Sequence, residues 1–345
     1  MTLDDTRRLQ RLEPPAAGRQ LRVVIDTDAA NEIDDQYALA WAIAVPERLA
    51  VEAIHAAPFS FAHRRAAYPQ LGDDHPPFAP PDVGMRRSAA EIRRVLAACR
   101  ADGHAHAAEV TVCEGTPGYL SASPDAPPRS AAVDDLIARA MAPAPDDAPL
   151  YVLVLGCPTN IACALRLEPR IAERIVVVWT SGYPSHAPHA NRSFNLEQDL
   201  AATRTLLDSG VPLVYLPGFH VGAQLRLSWP EVERWVRPCG ATGALLAELY
   251  ALNPLWPMHG ISDLHVHSWV LWDVICVAWL IDPGWVPSTV VPTPSLDAGL
   301  CWVRGNHRHP MREAHGVQRD AIFRDLLGRL ARRGGAPGAG GGPAP

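Results

Sequence analysis

Residues 23–35, Val-Val-Ile-Asp-Thr-Asp-Ala-Ala-Asn-Glu-Ile-Asp-Asp, pass from a β-branched apolar run directly into an acidic turn. Behind that turn Ala38, Leu39, Ala42 and Ile43 recur at helical spacing and predict a helix over 35–45. A strand feeding straight into a helix commits this part of the chain to an α/β layer arrangement. It also places Asp26 and Asp28 at the carboxyl end of a strand, the edge at which open α/β sheets bind ligands. Asp26, Asp28, Asp34 and Asp35 crowd the junction. Carboxylates brought within a few ångströms in a partly dehydrated cleft repel one another, and a hard cation with oxygen ligands is the natural compensating charge. The competing reading is a solvated acidic turn with helix N-caps, a role that suits Asp34 or Asp35 alone.

The alternation continues along the chain. Strands are predicted at 21–26, 51–56, 109–113, 150–155, 174–179 and 212–216, with helices near 35–45, 85–101, 130–141, 159–167 and 198–209. This is the pattern of a sheet with helices packed on its faces. Beyond it the pattern is less regular, with helices near 239–252 and 268–281, extended runs at 286–292 and 299–304, and an amphipathic helix over 318–332. A domain over 21–332 is expected, with a flexible segment over 1–20 and a disordered glycine- and proline-rich tail over 333–345. The proline-rich stretch 58–84 reads as a loop or lid whose Phe59, Phe61, Tyr68 and Phe78 close over a bound molecule. The alternative for it is an insertion packed against a neighbouring subunit.

Composition narrows the function classes. The chain has 345 residues, 48% of them hydrophobic, enough for a large core in one or two domains. Its net charge of -6 offers no basic face for nucleic acid. No run approaches the length of a membrane span and the first twenty residues lack the apolar core of a signal peptide, so a cytoplasmic protein is expected. The seven cysteines are scattered without a CxxC pair and read as reduced, mostly buried residues. All 31 basic residues are arginine, which removes P-loop and Schiff-base chemistry, both of which need a lysine.

Four segments in order carry a resemblance. Asp26-Thr27-Asp28 with Asp34-Asp35, Leu155-Gly156-Cys157-Pro158-Thr159-Asn160-Ile161-Ala162, Ser193-Phe194-Asn195 through Asp199-Leu200-Ala201-Ala202, and Trp272-Asp273 at a helix start together resemble the inosine-uridine-preferring nucleoside N-ribohydrolase family. The resemblance runs from about Arg22 to Leu330. It implies a single α/β domain around a mixed, mostly parallel sheet, and calcium-dependent hydrolysis of the N-glycosidic bond of ribonucleosides. It further implies that Asp28 is a calcium ligand and the general base. Asp35, the Thr159 carbonyl and Asp273 are the other implied ligands, and Asp26 braces them from behind. Asp34 and Asn195 are implied to contact ribose hydroxyls. A small-molecule nucleoside is then the partner, and a homodimer or homotetramer the implied assembly.

Several residues depart from the family pattern. Trp272 stands where many members have a histidine that protonates the leaving base. His259, His265 and His267 are the nearby candidates to replace it, and Trp272 itself could stack on the base. Two extra residues precede Asp34, so Glu32 competes with it for the ribose position; the Asp34-Asp35 pair is favoured. Ser193 replaces a glutamate that holds the ribose 5′-hydroxyl, which opens the site to a larger or charged 5′ group. Asn191 and Arg192 are candidates for the lost contacts, and an arginine there favours an anionic substituent. His186 and His189 share that loop. The second strand leads into Ala56-Ala57 in place of a glycine-asparagine sugar contact. Two other readings stand beside this one. A nucleoside- or sugar-binding protein of the same fold would keep the acidic cluster without turnover. A haloacid-dehalogenase-like phosphatase also places an Asp-x-Asp after a strand, but it wants a lysine and leaves Asp34, Asp35 and Asp273 without a role.

Overall fold

The computed structural model describes residues 3–72, 76–305 and 307–332. Twelve strands are present among them. These are β1 (Leu21–Thr27), β2 (Leu49–Ala56), β3 (Thr111–Glu114), β4 (Leu150–Val154), β5 (Ile175–Ser181), β6 (Leu213–Pro217), β7 (Arg226–Ser228), β8 (Ser268–Val270), β9 (Ser288–Pro292), β10 (Ser295–Leu296), β11 (Trp302–Val303) and β12 (Pro310–Ala314). Eight form one sheet in the order β3-β2-β1-β4-β5-β6-β12-β9. Every pairing in it is parallel except β12 with β9. Strands β7 and β8, and β10 and β11, make two separate antiparallel ribbons.

Side chains of β1 alternate between the two faces of the sheet, as the strand repeat requires. Val23 and Ile25 join one apolar cluster with the helices Asp34–Ile43, Pro81–Ala101, Gly240–Ala251, Val274–Ile281 and Arg319–Leu330. Val24 joins the other with the helices Ala131–Met141, Thr159–Leu167 and Leu200–Asp208. The helix Asp34–Ile43 is buried along its whole length, so it is apolar on every side rather than amphipathic. Its polar tips are satisfied internally: Tyr37 donates to the Leu246 carbonyl at 3.3 Å and Trp41 to Asp325 at 2.9 Å.

The sheet order fixes where a ligand can bind. From β1 the chain winds outward through β2 and β3, then returns to the other side of β1 and winds through β4, β5 and β6. The crevice between β1 and β4 is therefore the switch point, and Asp26 and Asp28 lie at its mouth.

Four expectations need correction. Residues 3–20 are held down: Asp5–Leu12 is a helix, N-capped by Asp4 accepting from the Arg7 amide at 2.9 Å. Buried guanidinium groups tie this segment to distant chain. Arg8 donates to the Gly210 carbonyl at 2.8 Å, Arg312 to the Leu12 carbonyl, and Arg48 to the carbonyls of Ala16 and Arg19 at 2.6 Å each. The helix expected over 268–281 is strand β8 followed by the shorter helix Val274–Ile281. Strand β12 was not expected at all, because Pro310, Arg312 and Glu313 break any apolar run; Glu313 is used internally, accepting from the Ser185 amide at 2.7 Å. The stretch 58–84 does not present its aromatics to a ligand. Phe59, Phe61 and Phe78 are buried in the core, and Phe61 stacks on Phe194 with ring centroids 4.1 Å apart. The tail over 333–345 lies outside the described residues. No helix among the described residues is long and apolar enough to cross a membrane.

Leu12 is completely buried at the end of the first helix. Leu12→Ala is expected to cost about 2–5 kcal/mol in urea unfolding; a variant as stable as the parent would show that the helix does not dock.

Candidate active site

A cleft of about 510 Å³ opens at the carboxyl ends of β1, β4, β5 and β6. Its floor is acidic. Asp28 follows β1, Asp34 and Asp35 begin the helix Asp34–Ile43, and Asp273 immediately precedes the helix Val274–Ile281. One carboxylate oxygen from each of Asp34, Asp35 and Asp273 lies within 4.8 Å of the others, and all three residues are buried. Glu32 adds a fifth carboxylate to the lining and accepts from the Trp269 indole at 3.0 Å.

Electrostatics follow from that crowding. Burial, then the Asp35 charge, raises the Asp28 carboxyl well above its ordinary value. Burial and Glu32 do the same to Asp34, and burial and Asp34 to Asp273. Asp35 is pushed up to about 6 by burial, held from going further by the Thr27 hydroxyl that donates to it. Burial pushes Glu32 up to about 7. Such a set of hard oxygen donors, desolvated and mutually repelling, fits a hard divalent cation. Gly156 keeps the space clear, since a Cβ there would lie 2.8 Å from the Asp28 carboxyl carbon.

The residues between Asp28 and Asp34 fold as a tight turn in which the Asn31 amide donates to the Asp28 carbonyl at 2.9 Å. Ala30 takes a φ of 79°, the left-handed region that costs an L-residue about 1–2 kcal/mol. The turn sets the Asn31 amide group 3.3 Å from the Asp28 carboxylate and turns Glu32 toward the cleft. The turn ends where Asp34 and Asp35 open the helix Asp34–Ile43.

Other expected site residues divide into those that reach the cleft and those that do not. Asn195, Trp272 and His267 line it. Asn195 donates to the carbonyls of Leu155 and Thr180, joining the ends of β4 and β5. Trp272 meets Phe219 edge to face at 6.0 Å, and the exposed His267 has Nδ1 2.9 Å from the Asp263 carbonyl. Asp26 lies behind the floor: it accepts from Asn160 at 2.8 Å and burial pushes it up to about 7. Thr159 is not among the lining residues; its hydroxyl donates to Asp199 at 2.8 Å, and Asp199 also accepts from the amides of Leu120 and Ser121. Asn191 is likewise off the cleft. Its amide side chain is used on backbone, accepting from Tyr183 at 2.7 Å and donating to Leu300 at 3.0 Å, so it braces the loop instead of a ligand.

Sequence reasoning missed Trp269, Phe219, Arg64 and Arg226 in the lining. Trp269 was hidden by reading 268–281 as one helix; in the structure β8 pairs with β7 and lifts it over the cleft. Among the described residues of 58–84, Arg64 alone lines the cleft.

The sequence model of the family described as inosine-uridine preferring nucleoside hydrolase matches residues 23–324. The chain belongs to this family. It is similar to the pyrimidine-specific ribonucleoside hydrolase RihB of Escherichia coli, 26% identical over 163 residues that cover 46% of this chain and 50% of that protein. The chain therefore spans about half the length of that relative. Among solved structures, an inosine-guanosine nucleoside hydrolase superposes with a TM-score of 0.66 at 18% identity, covering 90% of this chain and 99% of the other. The purine-preferring ribonucleoside hydrolase of Gardnerella vaginalis superposes at 0.61 and 21%, covering 90% and 98%. These likenesses show the same single-domain α/β fold with a large, mostly parallel central sheet. Family membership and the acidic floor agree on a metal-dependent site.

A cation that binds only the folded chain raises stability by about 4 kcal/mol at a thousand times its Kd. Calcium added to chelator-treated protein is expected to raise the melting temperature. Asp273→Asn is expected to lose that rise, yet to melt no lower than the parent in chelator, because one of the repelling charges has gone. An unchanged calcium response in the variant would remove Asp273 from the cation site.

Proposed function

We propose that this protein hydrolyses the N-glycosidic bond of ribonucleosides in a calcium-dependent reaction, giving free base and ribose. The observation that carries the reading is the convergence of Asp28, Asp34, Asp35 and Asp273 on the floor of a cleft walled by Trp272 and Phe219, in a chain of the nucleoside hydrolase family. Asp28, Asp35 and Asp273 would hold the ion. Calcium bound there would neutralise the carboxylates, leave room in a shell of about eight for sugar hydroxyls and a water, and make that water more acidic.

The chain's own residues supply the rest. Asp34, beside the ligand oxygens, would accept a ribose hydroxyl, and Asn195 would hold another. Asp28 would take the proton of the attacking water as it approaches the anomeric carbon. Positive charge develops on the sugar ring as the bond to the base breaks, and the acidic floor stabilises it. Trp272 and Phe219 offer an apolar wall for the base. His259 and His267 both line the cleft, and either would protonate the departing nitrogen in place of a histidine at position 272. Asp26 and Glu32 brace the floor through Asn160 and Trp269. Assembly as a homodimer or homotetramer belongs to the same proposal.

The test is a reducing-sugar assay on a panel of purine and pyrimidine ribonucleosides. Ribose release that stops with chelator and returns with calcium is expected, and Asp28→Asn is expected to lower kcat by about 10²–10⁴-fold while leaving the fold intact. Binding of nucleosides without release of ribose would instead make the protein a binding module.

A further inference from the structure

The charges in the cleft are sorted by depth. Asp28, Glu32, Asp34, Asp35 and Asp273 form the floor, and the arginines of the lining are Arg64, Arg192 and Arg226. Two of these are adjacent: Arg64 donates through Nη2 to the backbone carbonyl of Arg192 at 2.7 Å. The Arg64 side chain is fixed. Its Nε donates to Glu197 at 2.5 Å and its guanidinium lies 5.4 Å from the Phe194 ring centroid. Arg192 is exposed, and among the described residues its guanidinium has no hydrogen-bond or ion-pair partner. Glu197 is thus matched to the Arg64 guanidinium, and it also takes a contact from His63 at 3.0 Å, while among the described residues the Arg192 guanidinium has no such carboxylate. This side of the rim keeps an uncompensated positive charge while the floor below it is acidic.

Between floor and rim lies a small neutral notch. The Ser193 and Ser181 hydroxyls are 3.0 Å apart and both line the cleft. A carboxylate at either position would repel an anion held by the arginines; two hydroxyls do not. The segment 192–195 runs from the rim at Arg192 to Asn195, which reaches the carbonyls of Leu155 and Thr180. A ribosyl group with its hydroxyls on the floor and its base against Trp272 would direct its 5′ carbon past Ser193 toward Arg192. Planar guanidinium forks match the oxygens of a phosphate monoester.

We propose that the substrate class of this cleft is the ribonucleoside 5′-monophosphate, its phosphate held at the rim by Arg192 and Arg64. This rests on the hydrolase reading above and names its substrate. The bond from C1′ to the base nitrogen breaks with its electron pair going to the nitrogen, and the water oxygen bonds to C1′. One water proton passes to Asp28, the departing nitrogen takes a proton from His259 or His267 that the proton on Asp28 restores through solvent, and the phosphate leaves unchanged as part of ribose 5-phosphate.

Two measurements test this separately from the reaction itself. By titration calorimetry on calcium-loaded protein, ribose 5-phosphate is expected to bind at least about tenfold more tightly than ribose. Arg192→Ala is expected to bring that ratio close to one, and Arg192→Lys, which keeps the charge but not the fork, to leave it in between. In hydrolysis, kcat/KM for uridine and inosine 5′-monophosphates relative to the unphosphorylated nucleosides is expected to exceed one in the parent and to fall with Arg192→Ala. A parent that binds the two sugars equally, or an Arg192→Ala variant with the parent's binding ratio, overturns the phosphate assignment. Hydrolysis of nucleosides alone would overturn it while leaving the hydrolase reading intact. Arg192-dependent binding of ribose 5-phosphate without release of base from either class would support the subsite and defeat the hydrolase reading.

Discussion

Mutual repulsion among buried carboxylates is the constraint around which this molecule is arranged. Asp28, Asp34, Asp35 and Asp273 come from three chain segments, and all four are buried. The fold keeps them together with uncharged donors. Thr27 donates to Asp35, Asn31 reaches Asp28, Asn160 holds Asp26 behind them, and the Trp269 indole holds Glu32. Gly156 leaves the gap beside Asp28 that a side chain would fill. Arginine is absent from the floor, so the charge stays available to a cation instead of being cancelled by the protein.

The sheet order explains why this can be built. Reversal of winding between β1 and β4 leaves a crevice at their carboxyl ends, and the strand ends around it each contribute a different chemistry. Acid comes from the β1 side and from Asp273, backbone and small hydroxyls from β4 and β5, and aromatic surface from the segment after β6 and from 269–272. The antiparallel ribbon of β7 and β8 stands outside the main sheet and carries Trp269 on one strand and Arg226 on the other. A cleft with an acidic floor, an aromatic wall and a basic rim suits a ligand that is itself divided into a polyol, a ring and an anion.

Most of the sheet was legible because its strands are short β-branched runs, such as 23–25 and 175–178, between helices with clear periodicity. The illegible parts share a physical cause. Strand β12 carries Arg312 and Glu313 inward, and the first helix has few apolar residues; both are stable because guanidinium and carboxylate groups find carbonyls and amides far away in the chain. No local pattern records such pairings. In the site, the Asp26 to Asp35 cluster could be read directly, whereas Asn191 looked like a ligand contact by its position and is a loop brace by its hydrogen bonds. Phe59, Phe61 and Phe78 looked like a lid and are core, because the stretch that bears them folds back onto Phe194.

What the sequence by itself determined was the acidic junction of β1 with its helix, the α/β class and the family, since each depends on residues near one another in the chain. What only the tertiary structure decided was the company that junction keeps. Asp273 meets Asp34 and Asp35, Trp269 meets Glu32, and Arg64 comes to lie beside Arg192 across more than a hundred residues. Those meetings are set by the order in which strands pair and by where each loop emerges from the sheet, quantities that exist only once the whole chain has packed.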